Sequence, residues 1–300
     1  MFEIRESELF THSSDPIWEH AVGVPTSALQ YLVHFYSGYY HDLAQPASRL
    51  QVPSAEVILV LGFGDELEIR QIGSSSESGM YQSFVVGLEA QPLLSEHDGE
   101  RYCIAIPLPP WAAYRLFQGA ITEFAKEVVA LEDIWDDADR LTEQLSERPS
   151  WTQRFACVER ILKEKFSTSQ RRVRPEIRWA GNQLEAHGGC ILIRQLAQTI
   201  GWSDRYFAKQ FRAQIGMTPK AAARQIRFTQ AQRLLNASEK QTLSEIALAC
   251  GYSDQSHFTR EFHSFSGCSP NAFQKAKTVA TDLPDLPGEP DVPEEIIGNC

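Results

Sequence analysis

Arg205, Ala208, Lys209 and Arg212 recur at spacings of three and four, as do Gln255, Ser256, Thr259, Arg260 and His263. At that spacing each set falls on one face of a helix. The chemistry on offer is that of base edges and phosphates. Guanidinium and ammonium donors match the acceptors of guanine, a glutamine amide pairs with adenine, and hydroxyls serve bases or phosphates. Ala208 brings only a methyl group, which suits the methyl of thymine. The first face carries no carboxylate, and Glu261 on the second helix is expected to point aside. Any one of these side chains alone reads as ordinary solvated surface; their repetition changes that reading.

The repeat lies in the segments around them. Leu196-Ala197, Ile200-Gly201 and Trp202-Ser203-Asp204 recur fifty residues on as Ile246-Ala247, Cys250-Gly251 and Tyr252-Ser253-Asp254. After one inserted residue, Phe207, Phe211, Gly216 and Pro219 recur at an offset of fifty-one as Phe258, Phe262, Gly267 and Pro270. Each copy has the grammar of a helix-turn-helix. A first helix with a small residue at the crossing point (Ala197, Ala247) ends at a glycine (Gly201, Gly251). Ser203 and Ser253 are the expected N-caps of the second helix, which turns its phenylalanines inward. Ile191, Leu192, Leu196 and Ile200 are expected to pack the first unit, and Leu243, Ile246 and Ala247 the second, with Phe265 inward. Pro219, after the cap Thr218, starts an unbroken helix over 219–235, roughly 25 Å long at ~1.5 Å per residue. Such a rod could hold two recognition helices about one DNA turn apart, ~34 Å. Arg224, Arg227 and Arg233 on it suit either phosphates or structural pairs.

Charge supports this reading only when it is divided. The 300 residues carry a net charge of −11, which alone argues against a polyanionic partner. Residues 1–170 hold 12 basic and 26 acidic side chains, residues 171–279 hold 16 against 7, and residues 280–300 hold none against 6. A segment of net +9 therefore sits between acidic ones. Length suits about two domains, and 43% hydrophobic with 22% charged residues excludes wholesale disorder. The longest apolar run, Val57 to Phe63, is too short to cross a bilayer. The N-terminus lacks the basic start and apolar stretch of a signal peptide. The six cysteines include no CxxC pair. Scattered thiols of this kind point to a reducing, cytoplasmic setting with no membrane.

The elements before the basic segment change period midway. Residues 55–61 read as a buried strand and 66–72 as an alternating one, with Gly62-Phe63-Gly64-Asp65 as a hairpin turn between them. Further strands are expected at 81–88 and 101–106, closed off by Pro107, Pro109 and Pro110. Helical spacing then runs over 111–131, 137–146 and 151–166. A polar stretch, 167–172, marks the boundary, and no strand signal follows before Lys277. The fold class is thus an α+β N-terminal domain, an antiparallel sheet followed by helices, with an all-α C-terminal domain of two helix-turn-helix units joined by a long helix. The expected division is 1–166, 174–277, and a disordered acidic tail at 278–300 with prolines at 284, 287, 290 and 293.

At Pro175–Lys277 the residues resemble the AraC/XylS family of bacterial transcription regulators. The matching strings are IRQLAQTIGWSDRYFAKQFRAQIGMTP, RQIRFTQAQRLL and above all LSEIALACGYSDQSHFTREFHSFSGCSPNAF. The resemblance implies seven helices and makes the helices at 204–215 and 254–265 the recognition pair. It places base reading on Arg205, Ala208 and Lys209 and on Gln255, Ser256, Thr259 and Arg260. Ser203, Arg212, Ser253 and His263 are assigned to phosphate. Ala208 departs from the longer polar residue common in the family. Residues 28–166 are similar to an uncharacterised sensor-like domain that often precedes such modules, without the clustered histidines of sugar-binding cupin-type sensors.

The expected function is a sequence-specific, effector-responsive transcription regulator, an activator, with double-stranded DNA as partner across two successive major grooves. A small-molecule effector, RNA polymerase and a second copy of the chain are the further candidate partners. The alternatives are an enzyme, or a protein-interaction domain, targeted to DNA by the C-terminal module. Neither has a residue set behind it. His12, His20, His34 and His41 lack HxH or HxxxH spacing, so no metal or cofactor is expected. Cys103 and Cys157, weighed as thiols of a DNA-repair methyltransferase, lack the companion His/Glu pattern. Gly62-Phe63-Gly64 has no helix or third glycine behind it. Tyr31, Phe35 and Tyr39, within an aromatic-rich stretch, are the candidate lining of an apolar effector pocket.

Overall fold

The computed structural model describes residues 4–6, 17–72, 78–88, 91–237 and 241–279. His12, and the expected tail from residue 280 onward, lie outside the described residues. The strands are β1 (Ile4–Glu6), β2 (Ile17–Gly23), β3 (Tyr36–Gln51), β4 (Val57–Gly62), β5 (Leu67–Gln71), β6 (Gly79–Tyr81), β7 (Phe84–Val86), β8 (Leu93–Leu108) and β9 (Val128–Ala130). All pair antiparallel in one sheet of order β1-β2-β3-β8-β4-β7-β9, with β5 and β6 branching from β8.

The long strand β8 is the hub. One edge takes β3, from Ser37 opposite Ala105 to Gln51 opposite Leu93, with a register shift between Leu43 and Ala47. The other edge takes β4 and then β5 in succession. Gly62-Phe63-Gly64-Asp65 is therefore not a hairpin. Phe63 N and Asp65 N donate to Tyr102 O and Glu100 O at 2.9 Å, so the chain keeps running along β8. The glycines serve close approach instead of a turn. A Cβ on Gly62 would meet Gln82 O at 2.0 Å, and one on Gly64 would meet Glu100 O at 2.7 Å.

Alternation along the strands gives the curved sheet two dissimilar faces. Val57, Leu59 and Leu61 on β4, with Ile104, Ile106 and Leu108 on β8, pack against α1 (Pro110–Leu116), α2 (Ala138–Ser146) and α3 (Trp151–Thr168). Their intervening neighbours face a cavity. The expected helix over 111–131 is broken: α1 ends at Leu116, and Gln118 and Gly119 take positive φ (53° and 94°). The chain then returns as β9, whose Val128 and Val129 pair with β7. The helical spacing there came from apolar residues that reach the same core from a turn and a strand.

Among the described residues seven helices follow: α4 (Pro175–Ala186), α5 (Ile193–Thr199), α6 (Asp204–Ile215), α7 (Pro219–Asn236), α8 (Leu243–Ala249), α9 (Gln255–Ser266) and α10 (Pro270–Val279). Their apolar residues divide between two cores. Leu196, Phe207, Phe211 and Ile215 join the core that the sheet shares with α1, α2 and α3. Ile246, Phe258, Phe262 and Phe273 pack on Phe228, Ala231 and Leu235 of α7, and Leu50 and Val52 from the end of β3 join them. Each fully buried phenylalanine contributes about 1.5–3 kcal/mol. Leu192, expected in the first core, is 65% exposed because it sits before α5, as its N-cap, and not on its inner face.

Candidate DNA interface and sensor cavity

Helices α5/α6 and α8/α9 form the two helix-turn-helix units. Ala197 and Ala247 are buried where the paired helices cross. Gly201 and Gly251 hold left-handed φ of 73° and 72° at the turns, and a Cβ on Gly251 would strike Cys190 Sγ at 2.4 Å. Gly216 and Gly267 end the second helices with φ of 95° and 74°. Phe207, Phe211, Phe258 and Phe262 are all buried, so the opposite faces are fixed outward. Arg205, Lys209 and Arg212 on α6, and Gln255, Ser256, Arg260 and His263 on α9, are exposed; Ala208 and Thr259 are half-buried between them. The Ser203 hydroxyl accepts from Tyr206 N as the N-cap of α6.

Ser253 is not the equivalent cap. The residue inserted in the second repeat moves the helix start by one, and Asp254 Oδ1 accepts from His257 N at 2.7 Å. Ser253 stays exposed beside Asp254 and His257 Nδ1. At the shifted offset Arg205, Ala208, Lys209 and Arg212 correspond to Ser256, Thr259, Arg260 and His263. Gln255, whose Oε1 accepts from Ser244 Oγ at 2.8 Å, is braced against α8. Glu261 points aside: its carboxylate accepts from Arg224 Nε at 3.0 Å and Arg227 Nη2 at 3.2 Å on α7. Those two arginines thus serve structural pairing.

The second feature is the cavity on the inner face of the sheet, of about 110 Å³. Ile58, Val60, Leu67, Phe84, Val86 and Leu93 supply its apolar wall, and Ser37, Tyr39, His41, Ser95, Arg101 and Cys103 line it from β3 and β8. Of the three residues named for an effector pocket, Phe35 and Tyr39 line this cavity and Tyr31 does not. It lies in the turn before β3, 69% exposed, because Leu29 and Val33 are the residues that turn inward there. The sequence missed the polar end of the cavity. His41 comes from β3 and His97 from β8, and only strand pairing brings them together, with ring centroids 5.6 Å apart. Burial, with Arg49, His97 and Arg101 nearby, pushes the His41 imidazole down to about 3, so it is neutral at physiological pH. His20 stacks on Tyr39 outside this lining, its pKa also lowered by burial.

Among the described residues no group of three or more His, Cys, Asp or Glu is placed to hold a metal ion. Cys103 lines the cavity whereas Cys157 lies on α3 beside Gln144 and Arg160, so the two thiols share no site. Among the described residues no helix is long and apolar enough to cross a membrane.

A family described as a helix-turn-helix domain matches residues 196–276. The HTH-type transcriptional activator RhaR of Klebsiella pneumoniae subsp. pneumoniae is 33% identical over 90 residues, 30% of this chain and 32% of that protein. RhaR of Salmonella arizonae is 39% identical over 72 residues, 24% of this chain and 25% of that protein. The chain thus spans a third or less of the curated relatives it matches. Among solved structures, ToxT from Vibrio cholerae aligns over 80% of this chain and 97% of that one, at 12% identity and a TM-score of 0.45.

Proposed function

We propose that this chain, whose C-terminal part is an AraC-type helix-turn-helix domain, is a sequence-specific transcription regulator that acts in the cytoplasm and whose grip on DNA responds to occupancy of the sheet cavity. The observation that carries the DNA reading is the pair of exposed polar faces on α6 and α9, each held outward by two buried phenylalanines. Joined by α7, the two faces can enter successive major grooves of one duplex. Arg205, Lys209 and Arg260 supply donors for guanine, Gln255 for adenine, and Arg212, His263, Ser203 and Ser253 meet phosphates. The module is a binder and not an enzyme. Activation, through contact with RNA polymerase, and dimerisation through the N-terminal domain belong to the same reading.

The response to the cavity rests on where its wall leads. Gln51, Val52, Pro53 and Ser54 line the cavity, and Val52 also belongs to the core of the second helix-turn-helix. Ser54 O accepts a hydrogen bond from Gln225 Nε2 on α7. The test uses DNA selected from a random library by the full chain. Lys209→Ala and Arg260→Ala are each expected to weaken binding by about 1–3 kcal/mol in fluorescence anisotropy. Wild-type affinity in both variants would remove the reading.

A further inference from the structure

The cavity's polar end constrains what can occupy it. Arg101 is 4% exposed, and its guanidinium donates to two main-chain carbonyls, Asp65 O at 2.6 Å and Gln82 O at 3.3 Å. The Asp65 carboxylate is turned to Glu100 N, at 2.9 Å. Among the described residues no carboxylate forms an ion pair with Arg101. The Cys103 side chain is its other hydrogen-bond partner, and a buried guanidinium with no ion-paired carboxylate is costly unless an anion completes it. The second observation is His41: its side chain is buried, and Nε2 has no hydrogen-bond partner. A neutral imidazole can present an N–H to an anion. Arg49 lines the same end and adds positive potential. Glu56, the acid in the wall, is already ion-paired with His34.

Opposite these groups the wall is aliphatic and aromatic, which suits an apolar body and not a polyhydroxylated one. The volume, about 110 Å³, lies somewhat below the roughly 150 Å³ of an apolar cavity that takes up benzene. A body of one ring is of that order of size.

We propose that the cavity binds a compact apolar monocarboxylate, its body against Ile58, Val60 and Phe84 and its carboxylate on Arg101 and the His41 ring nitrogen. This rests on the cavity being the sensor site of the regulator. Calorimetry on the full chain at pH 7 tests it with benzoate, its neutral isostere benzamide, and palmitate. Benzoate is expected to bind at least tenfold more tightly than benzamide, and palmitate more weakly than benzoate. Arg101→Gln should level the two ring compounds. Because that buried change could unfold the sheet, His41→Leu serves as a second variant, with circular dichroism as a folding check; it should weaken benzoate at least threefold and leave benzamide unchanged. Equal binding of benzoate and benzamide, tighter binding of palmitate, or no binding of benzoate at 10 mM each overturns the proposal. Failure of the sensor reading is separable. Benzoate that binds as expected but leaves the affinity for selected DNA unchanged upholds the ligand class and removes the response.

Discussion

At the scale of single residues, the carboxylates show how position decides role. Glu261 sits on α9, a helix proposed to face DNA, yet its side chain is only 9% exposed and lies between Arg224 and Arg227 of α7. Glu261→Ala would leave the half-buried Arg227 without its anion, and breaking such a pair costs about 2–3 kcal/mol after allowance for the partly solvated Arg224. Urea denaturation of the variant measures this; a loss below 0.5 kcal/mol would show that the pair does not tie α9 to α7. Glu159 on α3 is the matching case in the N-terminal part. Burial alone would raise its pKa, but hydrogen bonds from Thr26, Tyr36 and Lys163 outweigh burial and hold the carboxyl below its usual range. A depressed folded-state pKa contributes stability that is complete above the unfolded value of about 4.5 and lost as pH falls through the folded one. Glu159→Gln should therefore be less stable than wild type at pH 7, with the gap closing below pH 4 in denaturation series. A gap independent of pH would exclude the ionised carboxylate as its source.

At the scale of elements, what was legible in the sequence followed from local rules. The two helix-turn-helix units, the Pro219 start of α7 and the outward faces could be read because glycine turns, caps and i, i+4 phenylalanines are nearest-neighbour signals. The Asp254 cap was legible too, had the change of offset been placed before the cap instead of after it. The sheet was harder. β3 reads as an aromatic-rich stretch because Tyr36 and Tyr40 serve the helix-packed face while Tyr39 and His41 serve the cavity, so both faces carry rings and alternation is hidden. The path of β4 into β5 along one neighbour, and the meeting of His41 with His97, depend on strand pairing that no local pattern encodes. The segment after β3 belongs to the same class: it is cavity wall on one side and helix-turn-helix core on the other. If Val52 couples the two, Val52→Ala and Phe228→Leu should be non-additive, with an interaction of at least 0.5 kcal/mol in a double-mutant cycle. Additivity within about 0.3 kcal/mol would sever the route from cavity to DNA.

At the scale of the whole molecule, the net charge of −11 conceals a division of labour. In the proposed reading a module of net +9 approaches phosphate, while residues 1–170 at −14 and 280–300 at −6 are repelled by it. Specific binding gains from many short-range contacts, whereas non-specific binding is almost wholly electrostatic and falls with salt at about 0.9 decades per decade for each phosphate contacted. Acidic segments in cis therefore weaken non-specific binding proportionally more than specific binding. Removing residues 280–300 leaves the chain at −5 and should raise affinity for random-sequence duplex several-fold at 50 mM salt. The selected site should gain less, so the ratio of specific to non-specific affinity drops. The difference should vanish near 1 M salt, where the screening length shrinks to about 3 Å. Replacing the six acids of that segment by their amides should reproduce the deletion. If the deletion raises non-specific affinity but the amide variant does not, the segment acts by bulk and not by charge.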